Sequence, residues 1–233
     1  MMHVDGNAGP AAPTAATQWG EEWTRVVDVI VAGSGVAGLT AAATAAGRGA
    51  SVLVLERGAL SGGTTAKSGG VIWIPNNKFM RARGIVDRRE DALRYMAKSA
   101  YPTFYNASHE TLGLPGDKYR LIEAFYDNGH VAIDALTGSG VLNLEEIGYP
   151  DYYANMPEDT APVGRALKPV TWEGFRRGID KLEGQILVEQ LQAGCEKLGV
   201  DIQLHSRVLH PLKDEAGEVV GLEVRVGRRT ELI

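Results

Sequence analysis

The chain holds a single cysteine, Cys195, among 233 residues. No intrachain disulfide can form, and a reducing compartment fits. No apolar run comes near the roughly 20 residues that a membrane span requires. The start of the chain lacks a basic segment followed by an apolar one, which argues against a secretory signal. The expected location is therefore the cytoplasm. Positive charge is also short: 24 Lys and Arg face 29 Asp and Glu, a formal charge of −5. That balance gives no electrostatic reason to expect a nucleic-acid partner. His205 and His210 have no Cys or carboxylate neighbours at metal-ligand spacing, so no metal site is expected.

What the chain does have is glycine, 29 residues of it. Many fall in two short stretches, 33–38 and 62–70. Hydrophobic residues make up 44% and charged residues 23%, enough for one sizeable soluble core.

The pattern begins with an arm rich in Ala, Gly, Pro and Thr, residues 1–24, expected to be flexible. Val26–Ala32 is a short β-branched run that suits a buried parallel strand. A glycine turn follows, then an Ala-rich helix from Leu39 to Ala46, then a second buried strand, Ser51–Leu55. Together they form a β-α-β unit. Helical signals return over Asp91–Ser99 and Tyr119–Leu136. Residues 138–171 are irregular, rich in Gly, Pro and Tyr. Leu182, Ile186, Leu187, Leu191, Cys195 and Leu198 recur at helical spacing, which puts Cys195 on a core face. Asp201–Leu204 reads as a strand. Val208–Lys213 and Val219–Val226 read as a hairpin around Asp214–Glu218. Arg229–Ile233 begins one more strand, whose edge is expected to be left open for further polypeptide or a partner chain to cover. The fold class expected is α/β: a Rossmann-like domain with a β-meander, split as 25–78 and 184–233 around a mostly helical and irregular insertion, 79–183, on the substrate side.

Gly33-Ser34-Gly35-Val36-Ala37-Gly38 is a G-x-G-x-x-G between a strand and a helix. In that context it marks a dinucleotide site. Gly33 permits the tight turn, Gly35 lets the backbone approach a pyrophosphate, and Gly38 lets the helix pack on the strand. The unpaired N–H groups at the helix start, Ala37 among them, and its partial positive charge face the phosphates. Glu56 lies 18 residues beyond Gly38, at the end of the second strand. A carboxylate there accepts hydrogen bonds from two ribose hydroxyls and repels a 2′-phosphate, which argues against NADP. Arg57 beside it is assigned to the adenosine edge, with exposed packing as the other reading. The second cluster, Gly62–Gly70, selects FAD over NAD. Gly63, Thr64, Thr65, Ser68, Gly69 and Gly70 offer backbone N–H groups and hydroxyls that suit the far phosphate, the ribityl chain and a flavin edge.

Several segments together resemble the flavoprotein family that contains fumarate reductases, succinate dehydrogenases and 3-ketosteroid dehydrogenases. They are Asp28–Leu39, Glu56-Arg57, GGTTAKSGG running into VIWIPNN (62–77), and the G-I-V-D of Gly84–Asp87. Trp73-Ile74-Pro75, the P-D-Y-Y of Pro150–Tyr153 and the G-R-A-L of Gly164–Leu167 resemble the ketosteroid-dehydrogenase branch. The resemblance implies 1,2-desaturation of a steroid A ring: a tyrosine base removes the C2 proton and hydride leaves C1 for the flavin. It implies that Tyr152 hydrogen-bonds the base tyrosine and eases loss of its proton, while Tyr149 and Tyr153 pack. It also implies that backbone near Val208 holds adenine. The base and the carbonyl-binding groups belong to later parts of the family's sequence, so a second subunit carrying them is one expectation. A carboxylate reductase of the fumarate or urocanate type, and a non-catalytic FAD-binding or assembly module, stay open as alternatives.

Overall fold

The computed structural model describes residues 23–233. All but the last two residues of the expected arm thus lie outside the described residues. The chain divides into two units: Val27–Ser206, and the described residues up to Val26 together with Arg207–Ile233.

In chain order the larger unit carries β1 (Val29–Ala32), α1 (Val36–Ala46), β2 (Val52–Leu55), a 3-10 turn (Thr65–Lys67), β3 (Ile72–Trp73), α2 (Lys78–Ala82) and α3 (Arg89–Ala100). It continues with α4 (Gly116–Gly138), β4 (Leu144–Glu146), β5 (Ala166–Pro169), α5 (Glu183–Lys197) and β6 (Asp201–Gln203). β1, β2 and β6 form a parallel sheet with β2 in the middle. Val29 pairs with Val52 and Leu53 with Asp201. All four β2 residues are buried, as a central parallel strand requires. Helices α1 and α5 pack on this sheet. Leu39, Ala42 and Ala43 of α1 and Leu187, Leu191 and Cys195 of α5 share one core cluster with Val52 and Val54. The small side chains of α1 permit close approach: the Cys195 thiol donates to the Leu39 carbonyl at 3.3 Å. Burial pushes the pKa of that thiol up to about 11.

The first strand starts three residues later than its apolar run suggests. Asp28 replaces ladder pairing with side-chain bonds: its carboxylate accepts the Ser51 N–H (2.8 Å) and hydroxyl (2.6 Å). The helix starts three residues earlier than expected, because Gly38 belongs inside it. A Cβ there would lie 2.0 Å from the Gly33 carbonyl oxygen.

Residues 138–171 are more regular than their composition suggests. β3, β5 and β4 form an antiparallel sheet in that order. Ile72 pairs with Leu167, and Leu144 with Pro169. These strands have two to four residues each, too few for periodicity to reveal. Ala92, Leu93 and Met96 of α3 and Ile122 and Tyr126 of α4 build a second apolar cluster.

Between these parts sits a fully buried arginine. Arg165 makes two bonds to Asp87 (2.8 and 3.0 Å), one to Asp151 (2.6 Å) and one to Asp159 (2.9 Å). Its own N–H donates to Asp151 at 2.7 Å. The guanidinium also lies 5.3 Å from the Trp73 ring and 5.1 Å from the Tyr95 ring. Burial alone would lower its proton affinity, but the carboxylates of Asp87 and Asp151 more than offset that and raise it. Tyr126 donates its hydroxyl to the Asp87 carbonyl at 2.6 Å, which ties α4 to the same point.

In the smaller unit β7 (Ser206–Lys213), β8 (Val219–Val226) and β9 (Arg229–Leu232) lie side by side in that order. The Asp214 carboxylate accepts N–H groups of Ala216 (3.0 Å) and Glu218 (2.9 Å), and Gly217 takes a φ of +84°. That is the turn chemistry the hairpin reading requires. Near Leu232 the edge of β9 is not open. Thr24 donates both its N–H (2.9 Å) and its hydroxyl (2.8 Å) to the Leu232 carbonyl. Trp23 packs where Gly221 lacks a Cβ, 2.4 Å from the position that atom would take.

Removing the centre of a buried charge cluster strands its partners. Arg165→Met is expected to cost about 3–5 kcal/mol of unfolding free energy. Arg176→Ala, which breaks an exposed pair with Asp180, is expected to cost less than about 1 kcal/mol. Urea unfolding of both variants checks the contrast.

Candidate functional site

The carboxyl ends of β1 and β2 meet at one serine. Gly33 leaves β1 with a φ of +96°, a conformation that favours glycine, and its N–H donates to the Leu55 carbonyl at 2.8 Å. Ser34 then turns inward and is fully buried. Its N–H and hydroxyl both donate to Glu56 Oε2, at 3.0 and 2.7 Å. Its Oγ accepts the N–H of Gly62 at 3.0 Å. One hydroxyl therefore joins the first glycine turn, the end of β2 and the second glycine loop.

The two loops touch again at the start of α1. Thr65 Oγ1 accepts the Val36 N–H at 3.1 Å and so caps the first turn of the helix. No side chain of the N-cap residue, Gly35, could do so. A Cβ on Gly35 would stand between the loops, 3.7 Å from Thr65 Oγ1 and 4.0 Å from the Gly62 carbonyl. Ala37, Gly63, Thr64 and Ser68 are exposed around this contact. Gly63 has a φ of +49° and open space where a side chain would go.

The glycines of the second loop divide in two. Gly63 faces outward. Gly70 is buried, and its Cβ would meet the Glu183 backbone at 2.5 Å. Gly184 is its counterpart on α5: a Cβ there would meet the Thr65 carbonyl at 2.2 Å. Close packing of this loop on the start of α5 accounts for Gly70 and Gly184. A Cβ on Gly69 would meet only the end of the Arg177 side chain.

Glu56 is buried and already well supplied with donors. Besides the two from Ser34, Oε1 accepts the Gly58 N–H at 2.7 Å. A carboxylate has about four acceptor positions, so about one remains for a ribose hydroxyl rather than two. Burial raises its pKa, but the Ser34 hydroxyl, the N–H groups of Gly58 and Ser34 and the charge of exposed Arg57 together bring it below the ordinary 4.5. Val208 lies on β7, in the smaller unit.

Tyr152 is 91% exposed, and its ring meets Tyr153 edge-on at 4.9 Å between centroids. A cavity of about 270 Å³ opens nearby, lined by Tyr149, Pro150, Asp151 and Val163, with Arg83 and Glu146 across it. Tyr152 does not line it. The residues that reading by motif left without a role are Asp87, Asp151 and Arg165. Each lay inside one of the quoted segments, and the signal was a charged residue set among Gly, Pro and Val. Among the described residues no group of three His, Cys, Asp or Glu is placed to hold a metal ion, and no helix is long and apolar enough to cross a membrane.

The arrangement fits a dinucleotide. Side-chain-free backbone borders the exposed residues Ala37, Gly63, Thr64 and Ser68 at a helix start, and a carboxylate stands one strand away. Because the folded pKa of Glu56 lies below its unfolded value, its stabilising effect is present above about pH 4.5 and fades as pH falls through the lowered value. The stability gap between the wild type and a Glu56→Gln variant should be widest above about pH 5 and narrow as pH falls below the ordinary carboxylate range. Urea unfolding over that range checks it, and a gap that does not change with pH contradicts it.

Comparison with known proteins agrees with this geometry. The chain is 35% identical over 156 residues to a 3-oxosteroid 1-dehydrogenase of Mycolicibacterium smegmatis, covering 66% of this chain and 25% of the relative. It is 54% identical to a 4-oxocyclohexanecarboxylate 2-dehydrogenase of Sinomonas cyclohexanicum in a match covering 88% of this chain and 41% of the relative. Among solved structures, a 3-ketosteroid-delta4-(5alpha)-dehydrogenase of Rhodococcus jostii in complex with 4-androstene-3,17-dione superposes with a TM-score of 0.71 at 28% identity. That match covers 94% of this chain and 46% of the other. The chain thus spans less than half the length of each of these proteins. Its residues 28–233 match the family model described as an FAD binding domain, so the chain belongs to that family and its cofactor is FAD.

Proposed function

We propose that this chain serves an FAD-dependent dehydrogenase that introduces a double bond beside the carbonyl of a six-membered ring ketone, the A ring of a 3-ketosteroid in the first reading. The joined cradle of Ser34, Glu56, Gly62 and Thr65 carries the proposal, because it supports one long cofactor rather than a single nucleotide. FAD, when bound, supplies the acceptor for the hydride that leaves the ring. The N–H groups at the start of α1 beyond Val36 hold the pyrophosphate, with Gly35 leaving room for it, Gly33 making the turn and Gly38 letting α1 pack closely. Glu56 accepts a ribose hydroxyl at its remaining position, and Arg57 borders the adenosine. Gly63, Thr64, Thr65, Ser68 and Gly69 line the path toward the flavin ring.

Tyr152 is assigned to the reacting end. An exposed hydroxyl can meet a group contributed from the part of the relatives' length that this chain does not span. There it would hydrogen-bond a base tyrosine, whose ordinary pKa of about 10 is too high for proton abstraction near neutral pH without help. The reaction then balances as loss of a proton from one carbon and of hydride from its neighbour, with a new double bond between them. Nothing in the comparisons calls for a second subunit.

A second reading keeps the chemistry and changes the substrate. The 54% identity to the 4-oxocyclohexanecarboxylate dehydrogenase favours a small ring keto acid over a steroid. Supplied with a polypeptide that carries the part of the relatives' length this chain does not span, the protein is expected to be yellow and to desaturate 4-androstene-3,17-dione or 4-oxocyclohexanecarboxylate with an artificial electron acceptor. The faster of the two identifies the substrate class. Protein that retains no flavin, or that reduces fumarate instead, contradicts the proposal. Tyr152→Phe is expected to lower kcat by about a hundredfold with flavin content unchanged.

A further inference from the structure

Two of the three carboxylates on Arg165 bracket the loop that carries Tyr152. Asp151 stands at its start and Asp159 at its end, and one guanidinium nitrogen binds both, at 2.6 and 2.9 Å. Between them the Tyr153 N–H donates to the Tyr95 hydroxyl at 3.3 Å, and the Tyr95 ring packs against the same guanidinium. The loop also makes turns of its own: Ala154 N–H to Asp151 O at 3.0 Å, and Asp159 N–H to Met156 O at 2.9 Å. Those bonds shape the loop. The bonds to Arg165 attach it to β5 and, through Asp87, to the segment before α3.

A buried ion cluster is not required for stability as such, since apolar side chains of equal volume often serve as well. What it adds is direction. The planar fork of arginine holds partners on several sides at fixed angles, which a lysine cannot do. Here one edge is taken by Asp87, in two bonds, and the other by the two ends of the loop.

We infer that Arg165 is a positioning residue: by pinning both ends of the Asp151–Asp159 loop it sets where the Tyr152 hydroxyl stands. The functional part of this inference rests on the assignment of Tyr152 to the reacting end. It also accounts for three separate sequence segments, those of Asp87, Asp151 and Arg165, by a single contact.

The gentlest test is Asp159→Asn, which keeps the side chain's shape and leaves Arg165 its bonds to Asp87 and Asp151. With FAD present, hydrogen exchange of the amides of residues 152–158 is expected to rise about tenfold, with other segments within about twofold. Arg165→Lys, which keeps the charge but loses the fork, should loosen the same amides. In turnover of 4-androstene-3,17-dione and of 4-oxocyclohexanecarboxylate, Asp159→Asn should lower kcat about tenfold with KM within about twofold. A uniform rise in exchange, exchange that does not change, or an unaltered kcat overturns the inference. Turnover is measured with the remaining part of the relatives' length supplied; if the wild type then turns over neither ketone, the Tyr152 assignment fails, and the exchange pattern alone decides whether Arg165 pins the loop.

Discussion

The arrangement of the candidate cofactor site depends on one buried hydroxyl. Ser34 Oγ donates a hydrogen bond to Glu56 and accepts one from the N–H of Gly62. Through it the turn after β1, the end of β2 and the loop that leads to β3 become one surface. The motif formula G-x-G-x-x-G leaves this position free, yet a residue without a hydroxyl could not make both bonds. Because the site is buried, each of these bonds counts for more than it would in water. The Thr65 hydroxyl on Val36 repeats the device at the surface and fastens the loop to the helix start.

Parallel pairing explains why these groups converge at all. β1 and β2 run the same way, so both release their chains at the same edge of the sheet, where doubly wound folds bind ligands. α5 returns the chain to β6 on the other flank of β2 and presses its glycine start against the second loop. The insertion between β2 and α5 has its own organising contact in Arg165. The larger unit therefore has two polar anchors, one under the two glycine loops and one behind the Tyr152 loop, with apolar clusters packed around both.

Local features of this fold were legible in the sequence, and long-range ones were not. β2 reads as a central strand because Val52–Leu55 is uniformly apolar. The hairpin of β7 and β8 reads from Asp214 and Gly217, whose turn chemistry is contained in a few residues. β4 and β5 stayed hidden because each is short and its partner is distant: Ile72 pairs with Leu167 across nearly a hundred positions. Arg165 was hidden for another reason. Arginine is expected at the surface, and only coordinates reveal that three aspartates come to meet it. The glycine motifs pointed to these two loops but not to the division of labour among their residues. Gly70 reads like Gly63 in sequence, while in space it makes room for α5. Ser34 was assigned to cofactor contact, and its side chain instead faces Glu56.

The most direct test is a crystal structure of this chain grown with FAD. The expected result is the pyrophosphate on the N–H groups at the start of α1, an adenosine ribose hydroxyl on Glu56, and the flavin side of the molecule running along Gly63–Gly69. FAD held elsewhere, or a bound cofactor that touches the first glycine turn but bypasses the second loop, would contradict the claim that Ser34 joins the two into one site.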